Sequence, residues 1–142
     1  MIDTILLPID LQETQLAEKA VAFTIEEARR HGAEVHVLTV IPGFGMPIVA
    51  SYFPDATLKK AADEVARSLK AFVTDNLPDD VTVLSHVMQG NPAEKIVQQA
   101  DRLSADLIVI PSHAKGLERT LLGSCASKVV DHARCSVMVI KG

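Results

Sequence analysis

The residues of this chain with the side-chain types to do chemistry fall into a few short groups: Asp10 after the apolar run TILLP, the pair Ser112-His113, the sequence Gly123-Ser124-Cys125-Ala126, and Cys135. Gly123-Ser124 stands just ahead of a helical pattern. The first amides of a helix have no acceptor within it, and the macrodipole adds about half a positive charge there, so phosphate is the natural ligand. Asp10, at the lip of the first strand, can accept hydrogen bonds from ribose hydroxyls or an exocyclic amine. Val40, closing the second apolar run, offers a base an apolar wall. A plainer role is equally open to Asp10, that of starting a turn or capping the helix that follows.

Other groupings are weaker. Ser112-His113 has the look of a nucleophile and its base, but no third group is placed by sequence to orient the histidine, and phosphate binding is the expected job. His86, His113 and His132 have spacings that fit no metal-ligand pattern, so no thiolate or histidine metal site is expected. Cys125 at the positive end of a helix has either an acidified thiol or the role of a small buried hydrophobe, and the second is expected. Lys115 and Arg119 flank the same loop, either touching phosphate or lying on a solvated face. Neither GxxxxGK[ST] nor GxGxxG occurs, which excludes a P-loop hydrolase and removes most support for dinucleotide cofactors.

The elements that must position these residues alternate along the chain. Thr4 to Pro8, Glu34 to Val40, Val81 to Met88, Leu107 to Ile110 and Ser136 to Ile140 read as strands. Helical periodicity covers Thr14 to His31, Asp55 to about Asn76, Asn91 to about Ser104, and Gly123 to His132. Gly32 suits a left-handed helix end, while Asn91, Pro92 and Glu94 suit an N-cap, a first helical position and a capping box. Ile41 to Pro54, with its three prolines and two glycines, reads as an irregular loop rich in apolar side chains. Strands recurring after helices predict an α/β fold, a doubly wound open parallel sheet with helices on both faces, in which ligands collect at the carboxyl ends of the strands.

With 142 residues, 48% of them hydrophobic, the chain can bury one core, and a single domain over residues 1–142 is expected. The net charge of −4 and the absence of any long Lys/Arg run argue against nucleic acid or anionic lipid as partners. No apolar stretch approaches the roughly 18 residues of a membrane span, and the N-terminus lacks the basic start of a secretory signal. A cytoplasmic protein with free thiols is expected. The last strand, SVMVIKG, is apolar on both faces and suits a sheet edge that invites pairing.

Three motifs, ILLPID near the N-terminus, GNPAEKI before the third helix, and SHxxG followed by LLGSxxxxVxxHAxCSVMVI, together resemble the universal stress protein family over essentially the whole chain, closest to its F/G-type branch. The resemblance implies a Rossmann-like five-stranded sheet of order 3-2-1-4-5 and a homodimer through Ser136 to Ile140, with higher oligomers left open. It also implies ATP, with Mg carried on its phosphates, in the pocket deduced above. Carried over by position, Pro8 and Asp10 match the adenine and ribose contacts and Val40 the adenine wall. Ile110, Ser112 and His113 match part of the loop, and Gly123, Ser124, Cys125 and Ala126 the helix start that receives phosphates.

Two departures bear on affinity. Pro111 and Ala114 stand where the ATP-binding pattern has its two leading glycines, and eight residues rather than nine separate Ala114 from Gly123. A proline has no N–H to give, and a Cβ obstructs close backbone approach. The expected function is an ATP-binding stress-response module with little or no turnover. The alternatives are a slow ATPase or self-phosphorylating enzyme, and a nucleotide-free protein-binding scaffold.

Overall fold

Apolar runs without polar alternation are stable as strands only when both faces are covered. In the computed structural model, which describes residues 1–41, 55–112 and 123–141, this holds most fully for β1 (Thr4–Pro8), whose Ile5, Leu6 and Leu7 are completely buried. After β1 come a short 3-10 turn (Thr14–Ala17), α1 (Glu18–His31), β2 (Glu34–Ile41), α2 (Asp55–Asn76), β3 (Val83–Gln89), α3 (Pro92–Leu103), β4 (Leu107–Ser112), α4 (Ser124–His132) and β5 (Ser136–Lys141). The five strands form one sheet in the order β3-β2-β1-β4-β5, every neighbouring pair parallel. This is the Rossmann-like arrangement expected from the sequence.

Alternation along the strands divides the core in two. Ile5, Leu7, Val35, Val37 and Val109 pack with Leu69 and Phe72 of α2 and with Ala20 and Ala28 of α1. Leu6, Leu38, Ile108 and Ile110 face the other way, onto Ala93 and Ile96 of α3 and Ala126 and Val129 of α4. One helix pair therefore covers each face of the sheet.

Several boundaries differ from the sequence reading for local reasons. Helix α1 begins at Glu18 because Thr14–Ala17 winds as a 3-10 turn without a side-chain cap. Its end is as expected: Gly32 is left-handed at φ 67°, and its N–H donates to the Ala28 carbonyl. Val81, expected to start the third strand, is instead a buried turn residue whose N–H donates to Pro78 O at 3.3 Å. Strand β4 runs on through Pro111 to Ser112. Beyond Ile108 it pairs only with β5, so a residue lacking N–H is tolerated there. Asn91 caps α3, its side chain accepting from Glu94 N at 3.1 Å, but the exposed Glu94 side chain makes no return bond. Residues 42–54 of the expected irregular loop, and the loop 113–122 with His113, Ala114, Lys115 and Arg119, lie outside the described residues.

The first and fourth strands are tied at their starts by one carboxylate. Asp106 Oδ2 accepts from the amides of Asp3 (2.8 Å) and Thr4 (3.0 Å), while Asp106 N donates to Thr4 O (2.9 Å). These amide bonds, Asp3 first, hold the Asp106 carboxyl below its ordinary value of 3.8. Because the folded value is depressed, the stabilisation is present above roughly pH 4 and is lost as pH falls through the folded value. At a site this exposed, Asp106→Asn should lower unfolding free energy by only about 0.5–1 kcal/mol. Urea melts at neutral and acid pH should show a deficit that shrinks as the wild-type carboxylate protonates.

Candidate functional site

Strand order reverses between β1 and β4: from β1 the chain builds outward through β2 and β3, then returns to the other side for β4 and β5. At the carboxyl ends beside this reversal lies a cavity of about 400 Å³, within the range of roughly 300–1,000 Å³ usual for small-molecule sites. Of the residues singled out from sequence, Pro8, Asp10, Val40, Ile110 and Cys125 line it. Pro111, suspected of closing the pocket, forms part of its wall and leaves this volume open.

Of the roles that sequence left open to Asp10, the structure shows the turn. Its Oδ1 accepts from Gln12 N at 2.9 Å and its carbonyl from Glu13 N at 3.1 Å, so it does start a turn. Its Oδ2 has no protein partner among the described residues, and the side chain is exposed at the cavity rim. The position is fixed from below, where Ile9 N donates to Leu38 O at 2.8 Å and carries the β1–β2 pairing past Pro8.

The apolar wall is broader than Val40 and Ile110. Ile9 and Leu38 supply strand residues, Leu16 and Ala17 come from the 3-10 turn, Val65 from α2, and Ile96 from α3. Sequence reasoning missed these. Pro92, which also lines the cavity, had a usable signal: it opens the helix after β3 and so belongs at the carboxyl end of the sheet. Val65 and Leu16 had none, because their helical faces acquire meaning only from packing. Gly90, at φ 135°, donates its N–H to Ile41 O at 3.0 Å and is not part of the wall.

The other end of the site is the head of α4. Gly123 is its N-cap, and the first intrahelical bond runs from Ser127 N to Gly123 O at 2.9 Å. The amides of Ser124, Cys125 and Ala126 therefore have no acceptor within the helix, and no acidic side chain lies in the first turn. Gly123 N is committed elsewhere: it donates to Ser112 Oγ at 3.2 Å, across the two ends of the loop 113–122. Ser112 is buried at 6% exposure and does not line the cavity; nor do Gly123, Ser124 or Ala126.

Burial pushes the Cys125 thiol above its ordinary value, with Lys128 opposing, the direction of a small buried hydrophobe and opposite to that of an acidified nucleophile. Cys135 is shifted the same way, chiefly by burial, and both thiols are free. Among the described residues no three of His, Cys, Asp and Glu form a group able to hold a metal ion. No helix among them is long and apolar enough to cross a membrane.

Comparison with known proteins places this geometry. Residues 1–141 match the Universal stress protein family. Universal stress protein G of Escherichia coli O157:H7 is 30% identical, the alignment covering 99% of this chain and all of that protein. The solved structure of hypothetical protein MJ0577 superposes with a TM-score of 0.79 at 29% identity, covering 100% of this chain and 97% of the other. The universal stress protein from Archaeoglobus fulgidus in complex with dAMP gives a TM-score of 0.66 at 26% identity, covering 99% and 100%.

The Ser112–Gly123 bond can be tested apart from any ligand. Ser112→Ala leaves a half-buried amide unpaired and should cost about 1–2 kcal/mol of unfolding free energy. Ser112→Thr, which keeps the hydroxyl, should recover most of it in the same urea melts.

Proposed function

Since the chain belongs to the universal stress protein family, we propose that it is an ATP-binding regulatory module of the stress response, its nucleotide seated between Asp10 and the head of α4. The observation that carries this reading is the cavity itself, which has apolar walls and, among the described residues, a carboxylate oxygen without a protein partner at one rim and near it a helix start with three amides that have no acceptor within the helix. A relative of the same fold in complex with dAMP supports a purine nucleotide as the ligand.

In this reading Pro8 and Val40 flank the adenine with Ile110 below it. Asp10 Oδ2 accepts from the ribose hydroxyls while Oδ1 keeps the turn. The amides of Ser124, Cys125 and Ala126 receive phosphate oxygens, supported by the helix dipole. Ser112 contributes by holding Gly123 and hence the helix start in place, and His113, outside the described residues, enters this reading only through the family resemblance. Mg²⁺ enters on the phosphates, because the described residues offer it no protein site. Phosphoryl transfer needs a base or water-orienting residue and carboxylates for the metal. Asp10, the one carboxylate among the described residues that line the cavity, stands at the nucleoside end, so the reading is binding without appreciable turnover.

Occupancy would be communicated through a homodimer. Strand β5 pairs with β4 alone and forms a sheet edge, with Met138 40% exposed and Val137, Val139 and Ile140 partly so. An apolar edge of this kind invites a second copy. Sedimentation at micromolar concentration should give a dimer, and Val139→Lys on β5 should shift it to monomer. A monomeric wild type would remove this part of the proposal.

Calorimetric titration with Mg·ATP should give a dissociation constant in the micromolar range or tighter, about −8 kcal/mol or more favourable. No steady phosphate release should accompany it. Asp10→Ala should weaken binding about tenfold, roughly 1.4 kcal/mol, with the circular dichroism spectrum retained. Continuous phosphate release would favour the ATPase, and no heat at millimolar ATP would leave the scaffold.

A further inference from the structure

The register between β2 and β3 sets His36 opposite Leu84 and His86 opposite Leu38, making the two imidazoles diagonal neighbours on one face of the sheet. Their rings stack with centroids 5.0 Å apart and 18° between planes, and His36 Nδ1 lies 2.7 Å from His86 Nε2. The other nitrogen of His36 is 2.6 Å from Glu34 Oε1. His36 is 4% exposed, whereas the Glu34 carboxylate reaches solvent.

This chain of three groups has room for a fixed number of protons. With the Glu34 carboxylate accepting, His36 Nε2 carries a hydrogen. One further hydrogen then bridges His36 Nδ1 and His86 Nε2, whichever ring owns it. A second hydrogen there would set two N–H donors face to face at bonding distance between stacked cations. Burial first, and the nearby His36 second, hold His86 below its ordinary value of 6.5. The sign follows: the neutral ring is the folded one, its stabilisation is complete above about pH 6.5, and it drains as pH falls from there toward the depressed value.

Among the described residues no other charge is placed to offset that second proton. Strand β1, which sets Leu6 beside His36, carries no titratable side chain between Thr4 and Pro8. Helix α3 covers this face with Ala93, Ile96 and Ala100. Of its charged residues, Glu94, Asp101 and Arg102 are exposed, and Lys95 donates to Gln98 at 3.3 Å. Helix α2 packs on the opposite face through Leu69 and Phe72. Two features give the histidine pair leverage. Strand β3 is a sheet edge with β2 as its one ladder partner. On the face of His36, Leu38 and Val40 continue β2 into the cavity wall.

We propose that Glu34, His36 and His86 form a proton-operated latch on the edge strand β3, and that its opening in acid weakens nucleotide binding by loosening the β2 wall of the cavity. The second half rests on the nucleotide reading above; the latch itself does not. The deciding comparison is wild type against His86→Gln, whose amide nitrogen can still donate to His36 Nδ1 but does not titrate.

Hydrogen exchange at Val83–Gln89, corrected for its intrinsic pH dependence, should lose about tenfold in protection in the wild type between about pH 7.5 and about pH 5, and change little in His86→Gln. Imidazole ¹⁵N shifts of the wild type, which need no variant, should show the His86 ring taking up its second proton as protection at β3 falls. Equal loss in both proteins, or none in either, overturns the latch. Mg·ATP titrations at the same two pH values should show the wild type losing roughly fivefold more affinity than His86→Gln; the nucleotide's own titration cancels between them. A pH dependence of binding equal in both proteins overturns the coupling. Exchange that behaves as stated with no ATP binding even at about pH 7.5 upholds the latch and removes the nucleotide reading together with the coupling.

Discussion

Burial of β1 on both faces and both edges is the constraint from which the rest of this structure follows. Ile5, Leu6 and Leu7 have no solvent-accessible surface, so the strand needs β2 on one side, β4 on the other, and helices above and below. A chain that satisfies this by building outward one way and then returning must reverse strand order beside β1. The helices that follow β1 and β4 then cover opposite faces, and a crevice opens between them. The cavity is a consequence of how the central strand is covered. Asp10 stands at its rim because β1 ends at Pro8 while Ile9 still pairs with Leu38.

Around that crevice the polar groups divide by purpose. Asp10 Oδ1 and Ser112 Oγ are spent on backbone amides, of Gln12 and Gly123, and they fix the turn at the cavity rim and the start of α4. Among the described residues, one Asp10 carboxylate oxygen and three helix-start amides keep no protein partner, and the nucleotide proposal rests on these groups. Buried groups rarely stay unpaired without a cost of about 1–3 kcal/mol. The buried side-chain oxygens that lack partners among the described residues, Thr24 Oγ1 and Gln99 Oε1, lie on α1 and α3 and do not line the cavity. The cysteine at the α4 head is raised by burial and contributes volume.

The β3 edge is held by different means. Outside the ladder, the Arg29–Asp80 pair joins α1 to the turn ahead of β3 through two bonds of 2.9 Å, but it is exposed and screened by solvent. The part-buried His36–His86 contact is less screened. Its strength depends on proton count, and it sits directly below the β2 residues that face the cavity. The strand with the fewest ladder partners on that side is thus the one whose fastening responds to acid.

Sequence alone determined the chain order and type of every strand and α-helix, though not the 3-10 turn Thr14–Ala17, which it read as the start of α1. Uninterrupted apolar runs imply strands buried on both faces, helical periodicity needs only one covered face, and Gly32, Asn91 and Pro92 mark boundaries through backbone geometry that no other residues supply as cheaply. It also pointed to Pro8, Asp10 and Val40, because the carboxyl ends of strands in such a sheet are known once the strands are, while Ile110 and Cys125 came from the family resemblance; all five line the cavity. Tertiary structure decided what depends on register and on which helical face turns inward. It brought Val65 and Leu16 to the cavity, joined Ser112 to Gly123 across a loop, and made stacked partners of His36 and His86, fifty positions apart. None of these has a local signature, since a contact between distant segments is fixed by how two whole elements slide and rotate against each other, and the residues that meet contribute only a small part of the energy that sets that fit.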